Sequence, residues 1–368
     1  MTDEVILGSF FSGIGAPEKA LARLKIPYKV ACYCEIDKYA SKAYSLIHNV
    51  PESFNLWDIT KADETKLPDF DLMTWGFPCQ DISVAGKQKG VIKDETRSGL
   101  YYDGLRILKH KMPKYSIIEN VKNLTSEKFM PVFNQILCDL DDAGYKSYHE
   151  VLNAKDYGIP QSRERIFIVS IRKDIDTGIF EFPEPLKPKL RLIDMLEKTV
   201  DEKYFLSDKE ITYMNRETKD GRNHWDFKHH SDITDEYSRC LTANMMKGVP
   251  YNVLRIGSVD LNGHDLCKRI YSVYGCSPTI PTGQSGNTIP KIPVGEVARK
   301  FTPKECFRLM GFDDKDYWIC KNAGISDSQL YKMAGNSIVV QVLEALLYNL
   351  LLDESKNKEY GEQMAFNF

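Results

Sequence analysis

Short apolar runs alternate with longer amphipathic stretches along the first half of the chain. Each run has the length of a strand, and most end at a glycine or a charged residue, where a buried strand gives way to a loop. The pattern predicts an α/β domain on a largely parallel sheet, with ligands bound at the carboxyl edge of its strands. The strands are expected at about 4–7, 29–34, 70–75, 115–118, 147–152 and 166–170, and the helices at about 18–24 and 131–143.

The regular alternation stops after Asp174, and the proline-rich segment 182–188 has the composition of a linker. Residues from there to about 292 are rich in glycine, asparagine, serine, threonine and aromatic side chains, which predicts a smaller, irregular β-rich domain. An apolar helix expected at 338–352 should return to the first domain. The predicted division is a first domain at 1–182 completed by a C-terminal helix at 327–353, a second domain with a hinge at 186–326, and a polar tail at 354–368.

One helix start can be predicted to the residue. Thr302 is a suitable N-cap, Pro303 fits the first helical position, and Glu305 follows the cap by three residues. This spacing is a capping box, in which each side chain bonds the other residue's backbone N–H. We therefore expect a helix beginning at Pro303.

Composition and charge restrict the classes of protein that the chain can represent. Of its 368 residues 42% are hydrophobic, which suits a globular protein, and the net charge of −3 argues against a surface coated with basic residues. Such a charge is compatible with nucleic-acid binding, which depends on where lysine and arginine cluster. The nine cysteines contain no CxxC pair, so neither a metal site nor a disulfide framework is indicated. Without a signal peptide or a run long enough to cross a bilayer, a cytoplasmic location is expected.

The turn after the first strand, residues 8–17, is rich in glycine and leads into a helix. Such a turn lets a ligand approach backbone N–H groups, and without a third glycine it does not favour a dinucleotide pyrophosphate. The second strand ends in Glu35, which could accept both hydroxyls of a ribose. Asp58 could accept from an adenine amino group, with Ile36 and Ile59 packed on the ring. The alternative for each acid is a helix cap or a solvated charge, although three such features at successive strand ends are unlike a coincidence.

The stretch GFPCQ at 76–80 places Cys79 on the loop that leaves the third strand. Gly76 permits a sharp turn and Pro78 fixes one φ angle, so the thiol could be held in one orientation. A lone cysteine on a turn is more often structural. Glu119, at the end of the next strand, is expected to face the same cleft.

Two further features belong to the same edge of the sheet. The long polar loop 81–99 carries lysines, arginines and glycines, and is either a surface loop or a segment that closes over a substrate. Arg163 and Arg165 alternate along an extended segment, so they are expected to share a face and to bind a carboxylate or phosphate.

Taken together, these motifs resemble the DNA cytosine-5 methyltransferase family. They follow the family's order over nearly the whole chain: FxGxG at 11–15, the two acidic strand ends, GFPCQ, RSGL, ENV, QSRER, a variable segment, RKFTPKECFRLMGF and GNS. The resemblance implies a Rossmann-like S-adenosylmethionine-dependent methyltransferase sheet with helices on both faces, plus a smaller target-recognition domain. The implied reaction is methyl transfer to C5 of a flipped-out cytosine in a specific duplex DNA sequence, through a covalent adduct between Cys79 and C6.

The resemblance also implies roles for individual residues. The catalytic residues would be Cys79, Glu119, Arg163 and Arg165. The S-adenosyl-L-methionine pocket would be lined by Phe11, Ser12, Gly13, Ile14, Gly15, Glu35, Ile36, Asp58, Ile59, Phe77, Pro78, Leu100, Asn336 and Ser337. DNA would be bound by Ser83, Lys87, Gln88, Arg97, Arg269, Thr279, Gln284 and Ser285.

The chain departs from the family's pattern at two places. Many relatives have a large aromatic residue after the ribose-binding glutamate, where this chain has Ile36, so the means of adenine stacking is open. Many also have phenylalanine before the serine that follows the PCQ motif, where this chain has Asp81-Ile82-Ser83; this change does not touch the catalytic residues.

The expected partner is double-stranded DNA, with a cognate restriction endonuclease as a functional partner, no metal, no membrane and a monomeric state. One alternative is a relative that methylates cytosine in transfer RNA with the same residues. A second is a catalytically inactive DNA-binding homologue, against which the intact cysteine, glutamate and arginine argue. A cysteine hydrolase would need a histidine base near Cys79, and no motif recommends His48, His110 or His149.

Overall fold

The computed structural model describes residues 4–82, 89–186, 190–205, 255–258, 269–271, 277, 291–294 and 297–352, with backbone only for part of 255–300. The described residues fall into two compact units. The first is drawn from Met1–Asn153, Glu164–Leu186 and Ser337–Phe368, and the second from Ala154–Arg163 and Lys187–Asn336. The chain therefore passes between the units four times.

The first unit is built on a six-stranded mixed sheet. Its strands are β1 (Val5–Phe10), β2 (Tyr28–Cys34), β3 (Leu72–Trp75), β4 (Tyr115–Val121), β5 (Tyr145–Asn153) and β6 (Glu164–Arg172). They are arranged in the order β2-β1-β3-β4-β6-β5. The first four run parallel, and β6 is antiparallel to both of its neighbours. The carboxyl ends of β1, β2, β3 and β4 therefore meet at one edge.

Both faces of this sheet are buried. Successive side chains of a strand point to opposite sides, so a strand whose residues are all buried must be covered on both. All four residues of β3 are buried, but only Met73 and Trp75 belong to the apolar cluster that includes Leu108 and Ile136 from two of the helices. The intervening residues, Leu72 and Thr74, therefore face the other side. A continuous apolar run, instead of strict alternation, is the sequence pattern that such a strand requires.

The helices of the first unit are α1 (Ala16–Arg23), α2 (Lys38–His48), α3 (Tyr101–Lys111), α4 (Met130–Asp142) and, after the second unit, α8 (Val340–Leu351). Helix α8 packs against α1, so the end of the chain does return to the first unit. Its residues from Val340 to Tyr348 are all buried. The expected polar tail at 354–368 lies outside the described residues.

The described part of the second unit includes a small sheet and the three α-helices that follow it. The short strands β7 (Arg255–Ser258), β8 (Arg269–Tyr271), β9 (Lys291–Val294) and β10 (Val297–Lys300) are arranged in the order β10-β9-β8-β7. The helices are α5 (Pro303–Leu309), α6 (Asp314–Asn322) and α7 (Asp327–Asn336). Helix α5 begins where the sequence predicts, with Thr302 and Glu305 forming the capping box.

One stretch of the described chain, Asp327–Leu351, is long and apolar enough by composition to cross a membrane. However, 72% of its apolar window is buried inside the protein. The helical path is also interrupted at 337–339. The stretch therefore consists of two core helices, α7 and α8.

Candidate active site

The loop after β3 holds Cys79 by its backbone. Three successive carbonyls each accept a hydrogen bond: that of Phe77 from Asn120 Nδ2 at 3.1 Å, that of Pro78 from Ser98 Oγ at 2.6 Å, and that of Cys79 from the N–H of Ile82 at 3.0 Å. These bonds fix the peptide units on both sides of the Cys79 Cα atom, so the side chain starts from a fixed position at the carboxyl edge of the sheet. Neither supporting residue, Asn120 nor Ser98, was predicted, although both lie within the ENV and RSGL motifs.

Other contacts extend this support along the loop. The amide of Asn123 donates to the carbonyl of Ile82, and the N–H of Gly90 donates to the carbonyl of Asp81 at 2.8 Å. Arg97, predicted to bind DNA, donates from Nη1 to Oε1 of Gln80 at 2.8 Å. At Gly99 a Cβ atom would lie 2.2 Å from the carbonyl oxygen of Ile92, so a larger residue does not fit there.

Burial distinguishes Cys79 from most of the other described cysteines. Burial raises the pKa of Cys32 and of Cys320 to about 12, and it also raises the pKa of Cys34 and of Cys306. Those four thiols are kept protonated at neutral pH and are inert. Cys79, in contrast, is only partly buried and lies where the parallel strands end.

Glu119 lies beside this loop, two residues before the end of β4. The strand continues to Val121 because β6 pairs with it throughout. A Cβ atom on Gly76, at the start of the cysteine loop, would lie 3.4 Å from Oε2 of Glu119. The carboxylate and the cysteine loop are therefore neighbours, as predicted.

Arg165 forms an ion pair with Glu119. Its Nε lies 2.9 Å from Oε1 of Glu119, and both side chains are about 15% exposed. The register explains the contact, because Val121 lies opposite Arg165 and Glu119 is two residues away on the same face. The antiparallel pairing of β4 and β6 thus brings together two residues that are 46 positions apart.

Arg163 has a different environment. It is buried in the second unit, and its Nη2 donates to the carbonyl of Gly335 at 3.0 Å, near the C-terminal end of α7. A guanidinium at this end of a helix bonds an unsatisfied carbonyl and interacts favourably with the helix dipole. This contact gives the arginine a role within the second unit.

The glycine-rich turn after β1 has unusual backbone geometry. Phe11, Gly13 and Gly15 all have positive φ angles of 53°, 56° and 77°. Gly15 cannot be replaced without a clash, since its Cβ would lie 2.2 Å from Nε2 of His48, whereas the space around a Cβ at Gly13 is open for 4 Å. A phenylalanine in the left-handed region is uncommon, and such backbone is concentrated at binding sites.

Glu35 is fixed beside this turn by two backbone donors. Its Oε2 accepts from the N–H of Gly13 at 2.9 Å, and its Oε1 accepts from the N–H of Asp37 at 2.8 Å. Asn55, which the sequence analysis did not identify, bonds both the N–H and the carbonyl of Glu35. The acidic group and the glycine turn therefore form one rigid arrangement, and a carboxylate can accept more bonds than these two.

Asp58 adopts the capping arrangement that the sequence analysis gives as the alternative. Its Oδ1 accepts from the N–H of Thr60 at 3.1 Å and from its hydroxyl at 2.7 Å, at the start of a short 3₁₀ turn. These bonds lower the pKa of the Asp58 carboxyl. The neighbouring Ile59 is buried, whereas Ile36 is 72% exposed.

The remaining predicted residues are placed as follows. Ser12 donates to the carbonyl of Cys34, Ile14 and Phe77 are buried, and Leu100 is half-buried in the first unit. Asn336 is exposed at the end of α7, and Ser337 is buried one residue later. Arg269 lies in β8, where only the backbone is described. Ser83, Lys87, Gln88, Thr279, Gln284 and Ser285 lie outside the described residues.

The fold and the site together define the class of protein. A glycine turn after β1, an anchored glutamate after β2 and a cysteine loop after β3 all lie at the carboxyl edge of one α/β sheet, where such folds bind nucleotide-like ligands. The backbone of Gly13 and the carboxylate of Glu35 suit the polar groups of an adenosyl cofactor that carries no phosphate. The class is that of Rossmann-like S-adenosylmethionine-dependent methyltransferases.

A family model for C-5 cytosine-specific DNA methylases matches residues 6–351. The chain belongs to this family, which confirms the resemblance of its motifs and makes the protein a C-5 cytosine-specific DNA methyltransferase. Members of the family depend on S-adenosylmethionine and act on DNA.

Individual relatives agree with this assignment. The chain is 32% identical to the orphan methyltransferase M.SPBetaI of Bacillus phage SPbeta, over 93% of this chain and 96% of that protein. It is 33% identical to the type II methyltransferase M2.ScrFI of Lactococcus lactis subsp. cremoris, over 92% and 97% of the two chains. The S. pombe Dnmt2 methyltransferase has the same fold, with a TM-score of 0.65 at 20% identity over 95% of this chain and 98% of that one.

Proposed function

We propose that this protein methylates C5 of a flipped-out cytosine within a specific duplex DNA sequence, through a covalent bond between Cys79 Sγ and C6 of the base. The observation that carries the proposal is the arrangement of Cys79, Glu119 and Arg165. A partly exposed thiol lies on a loop that is fixed by three carbonyl hydrogen bonds, and that loop begins beside an arginine-paired carboxylate.

C5 of cytosine is too weak a nucleophile to take a methyl group unaided. The reaction therefore needs a separate nucleophile that adds to C6 first. When Sγ of Cys79 bonds to C6, the electrons of the C5–C6 double bond become available at C5, which then takes the methyl group. Loss of the C5 proton and cleavage of the Sγ–C6 bond restore the ring and the thiolate. Cysteine suits this step, since a thiolate is strongly nucleophilic even where only a small fraction is ionised.

Glu119 and Arg165 activate the ring in this scheme. Glu119 accepts from the exocyclic amine of cytosine through one oxygen and gives a proton to N3 through the other, which draws electron density from C6 and favours attack by sulfur. Arg165 keeps the carboxylate oriented through Nε and contributes positive charge near O2, where negative charge develops. Arg163, the fourth residue of the predicted catalytic set, donates to the carbonyl of Gly335 at the end of α7, and its catalytic role stays a prediction.

The cofactor residues act by binding and orienting. S-adenosylmethionine supplies, when bound, a methyl group on a positively charged sulfur. Glu35 accepts from the ribose hydroxyls, with its position fixed by Gly13, Asp37 and Asn55. The open space beside Gly13 lets the ligand approach the backbone closely, and the buried Ile59 provides an apolar surface.

Recognition of DNA is assigned to the rest of the chain. A base inside a duplex shields C6, so it must leave the stack at a cost of a few kcal/mol. We assign closure over that base to the loop 81–99 and sequence reading to the second unit, including Arg269, Thr279, Gln284 and Ser285. The predicted division is proposed in the same sense. Residues 1–182, completed by 327–353, form the catalytic part, and residues 186–326 form the recognition part. The protein is proposed to be monomeric and cytoplasmic.

The relatives suggest two settings for the activity. One is described as an orphan phage methyltransferase and another as a type II methyltransferase. Bisulfite sequencing of DNA from cells that express this protein will give the target sequence. Digestion of that DNA with endonucleases that recognise the same sequence will then show whether the modification protects it.

The test of the proposed chemistry is a pair of cysteine variants. Cys79→Ala should bind DNA and cofactor normally but transfer no methyl group and form no stable complex with 5-fluorocytosine DNA. The matched control is Cys138→Ala, which removes an exposed thiol on α4 and should be trapped as the wild type is. Methylation by Cys79→Ala at a rate near that of wild type refutes the nucleophile. Transfer to RNA but not to duplex DNA would instead identify the transfer-RNA alternative.

A further inference from the structure

Trp57 has a backbone conformation that is unfavourable for a bulky residue. Its φ angle is 61°, in the left-handed region that glycine adopts freely, and its side chain is 41% exposed. A tryptophan exposed to this extent gains less from burial than a fully buried one, so burial offsets only part of that strain. Strain of this kind is concentrated at binding sites, so the position calls for a functional explanation.

The hydrogen bonds around Trp57 fix it beside the end of β2. Its N–H donates to Oδ1 of Asn55 at 2.9 Å, and the same oxygen accepts from the N–H of Glu35 at 3.0 Å. Its carbonyl accepts from Sγ of Cys34 at 3.3 Å. Two residues before Trp57, Asn55 pairs in parallel with Tyr33. The segment therefore runs alongside β2, and in this register Trp57 lies level with Glu35.

The residue after Glu35 is Ile36, which cannot stack as a planar ring does. It is 72% exposed, so it is not part of the core either. A ring that stacks on an adenine contributes binding energy that an aliphatic side chain cannot fully replace. The site thus lacks an aromatic residue at one position and carries a strained, exposed one on the neighbouring segment.

We propose that the indole of Trp57 is the stacking surface for the adenine ring of the cofactor, in place of an aromatic residue after Glu35. The inference rests on the proposed binding of an adenosyl cofactor beside Glu35. The backbone bonds to Asn55 and Cys34 hold Trp57 in its strained conformation, and Asp58 follows it directly. Trp57 is then a cofactor-binding residue that the motifs do not reveal.

Trp57→Gly separates stacking from backbone strain. Glycine accepts the φ angle, so the unfolding temperature of the full-length variant should not fall. Isothermal titration calorimetry with S-adenosylhomocysteine should nevertheless show a dissociation constant raised by about tenfold or more, the size expected for loss of one stacked ring. Trp57→Phe keeps an aromatic ring and should stay within about threefold of wild type.

Two controls make the result specific. Tyr39→Ala removes another exposed aromatic side chain of the first unit and should leave the affinity unchanged. S-adenosylhomocysteine should quench tryptophan fluorescence in the wild type and in Trp318→Phe, and much less in Trp57→Phe. Wild-type affinity in Trp57→Gly overturns the proposal, as does a loss in Trp57→Phe as large as that in Trp57→Gly. If the wild type itself does not bind S-adenosylhomocysteine, the proposed function fails, which is a separate outcome.

Discussion

At the scale of single residues, the chemistry depends on how one carboxylate is held. Glu119 lies in the middle of a hydrogen-bonded strand, so its backbone is as rigid as the sheet, and Arg165 fixes the orientation of its side chain. An acidic residue in a loop would have to be ordered each time a base arrives. Placement inside β4 removes that entropic cost.

Glu119→Gln tests this role with little change of shape. The amide can still accept from the cytosine amine but cannot transfer a proton to N3, so the single-turnover rate of methyl transfer should fall by about 100-fold or more, as for loss of a positioned acid–base group. DNA affinity should stay close to that of wild type. Rapid-quench kinetics and filter binding measure the two quantities.

Glu150→Gln is the matched control for this variant. Glu150 lies opposite Phe167 from the β5 side, as Glu119 does from the β4 side, but it is exposed. Its replacement should leave the rate unchanged. Equal single-turnover rates in all three proteins would show that Glu119 has another role.

At the scale of elements, the start of α5 is joined to β10 by a buried ion pair. Both nitrogens at the end of Arg299 bond Glu305, at 2.8 Å and 2.6 Å, and both residues are buried. The same carboxylate also accepts from the N–H groups of Thr302 and Glu197. A helix cap and a strand of the second unit are thus fixed by a single side chain.

Glu305→Gln should destabilise the second unit strongly. It keeps an acceptor for the cap but removes the negative charge that pairs with the buried Arg299, and breaking a buried ion pair from one side costs about 3–5 kcal/mol. Urea unfolding followed by the fluorescence of Trp318, on α6 of the same unit, measures the loss. The double variant Arg299→Met with Glu305→Gln should recover much of it, because the buried charge is gone. No recovery would mean that the cap, and not the charge, determines the stability.

At the scale of the whole molecule, the first unit is completed by the last described segment of the chain. Helix α8 is separated in sequence from β6 by the entire second unit, yet nine successive residues of it, Val340–Tyr348, are buried. Each buried leucine or valine of this helix contributes roughly 1.5–3 kcal/mol to folding. The folding of the first unit therefore depends on a segment that follows the second unit in the chain.

Truncation before Ser337 should consequently prevent the first unit from folding. The loss of several buried side chains exceeds the 5–15 kcal/mol by which domains are stable. Circular dichroism and proteolysis of the truncated protein measure this effect. A chain that ends at Leu352 is the control, since it keeps every residue of α8, and it should melt as the full-length protein does. A folded first unit in the shorter truncation would disprove the dependence.

Sequence alone predicted the strands of the sheet well, but not always where they end. The apolar run at 115–118 stops before Glu119 because a charged residue does not look like part of a buried strand. The observed β4 continues to Val121 since β6 supplies hydrogen-bond partners along its whole length. A strand's end is set by its neighbour, and that neighbour cannot be read from a local pattern.

The candidate site likewise combines residues that the sequence could identify with residues that it could not. Cys79, Glu35 and Glu119 could be singled out because each has a distinctive chemical group directly at a predicted strand end. Asn55, Asn120 and Ser98 could not, because amides and hydroxyls that bond a backbone carbonyl are common in loops and have no characteristic spacing. The two readings of Asp58 also needed the structure, which shows the cap.

What the sequence determined by itself is the set of local properties: the apolar strands of a two-faced sheet, the capped start of α5 and the order of motifs that define the family. These follow from the properties of residues close together along the chain. Only the tertiary structure decided that Arg165 pairs with Glu119, that Arg163 instead caps α7, and that Trp57 lies level with Glu35. Contacts between distant residues depend on strand order and register, and these are set by the packing of the whole sheet.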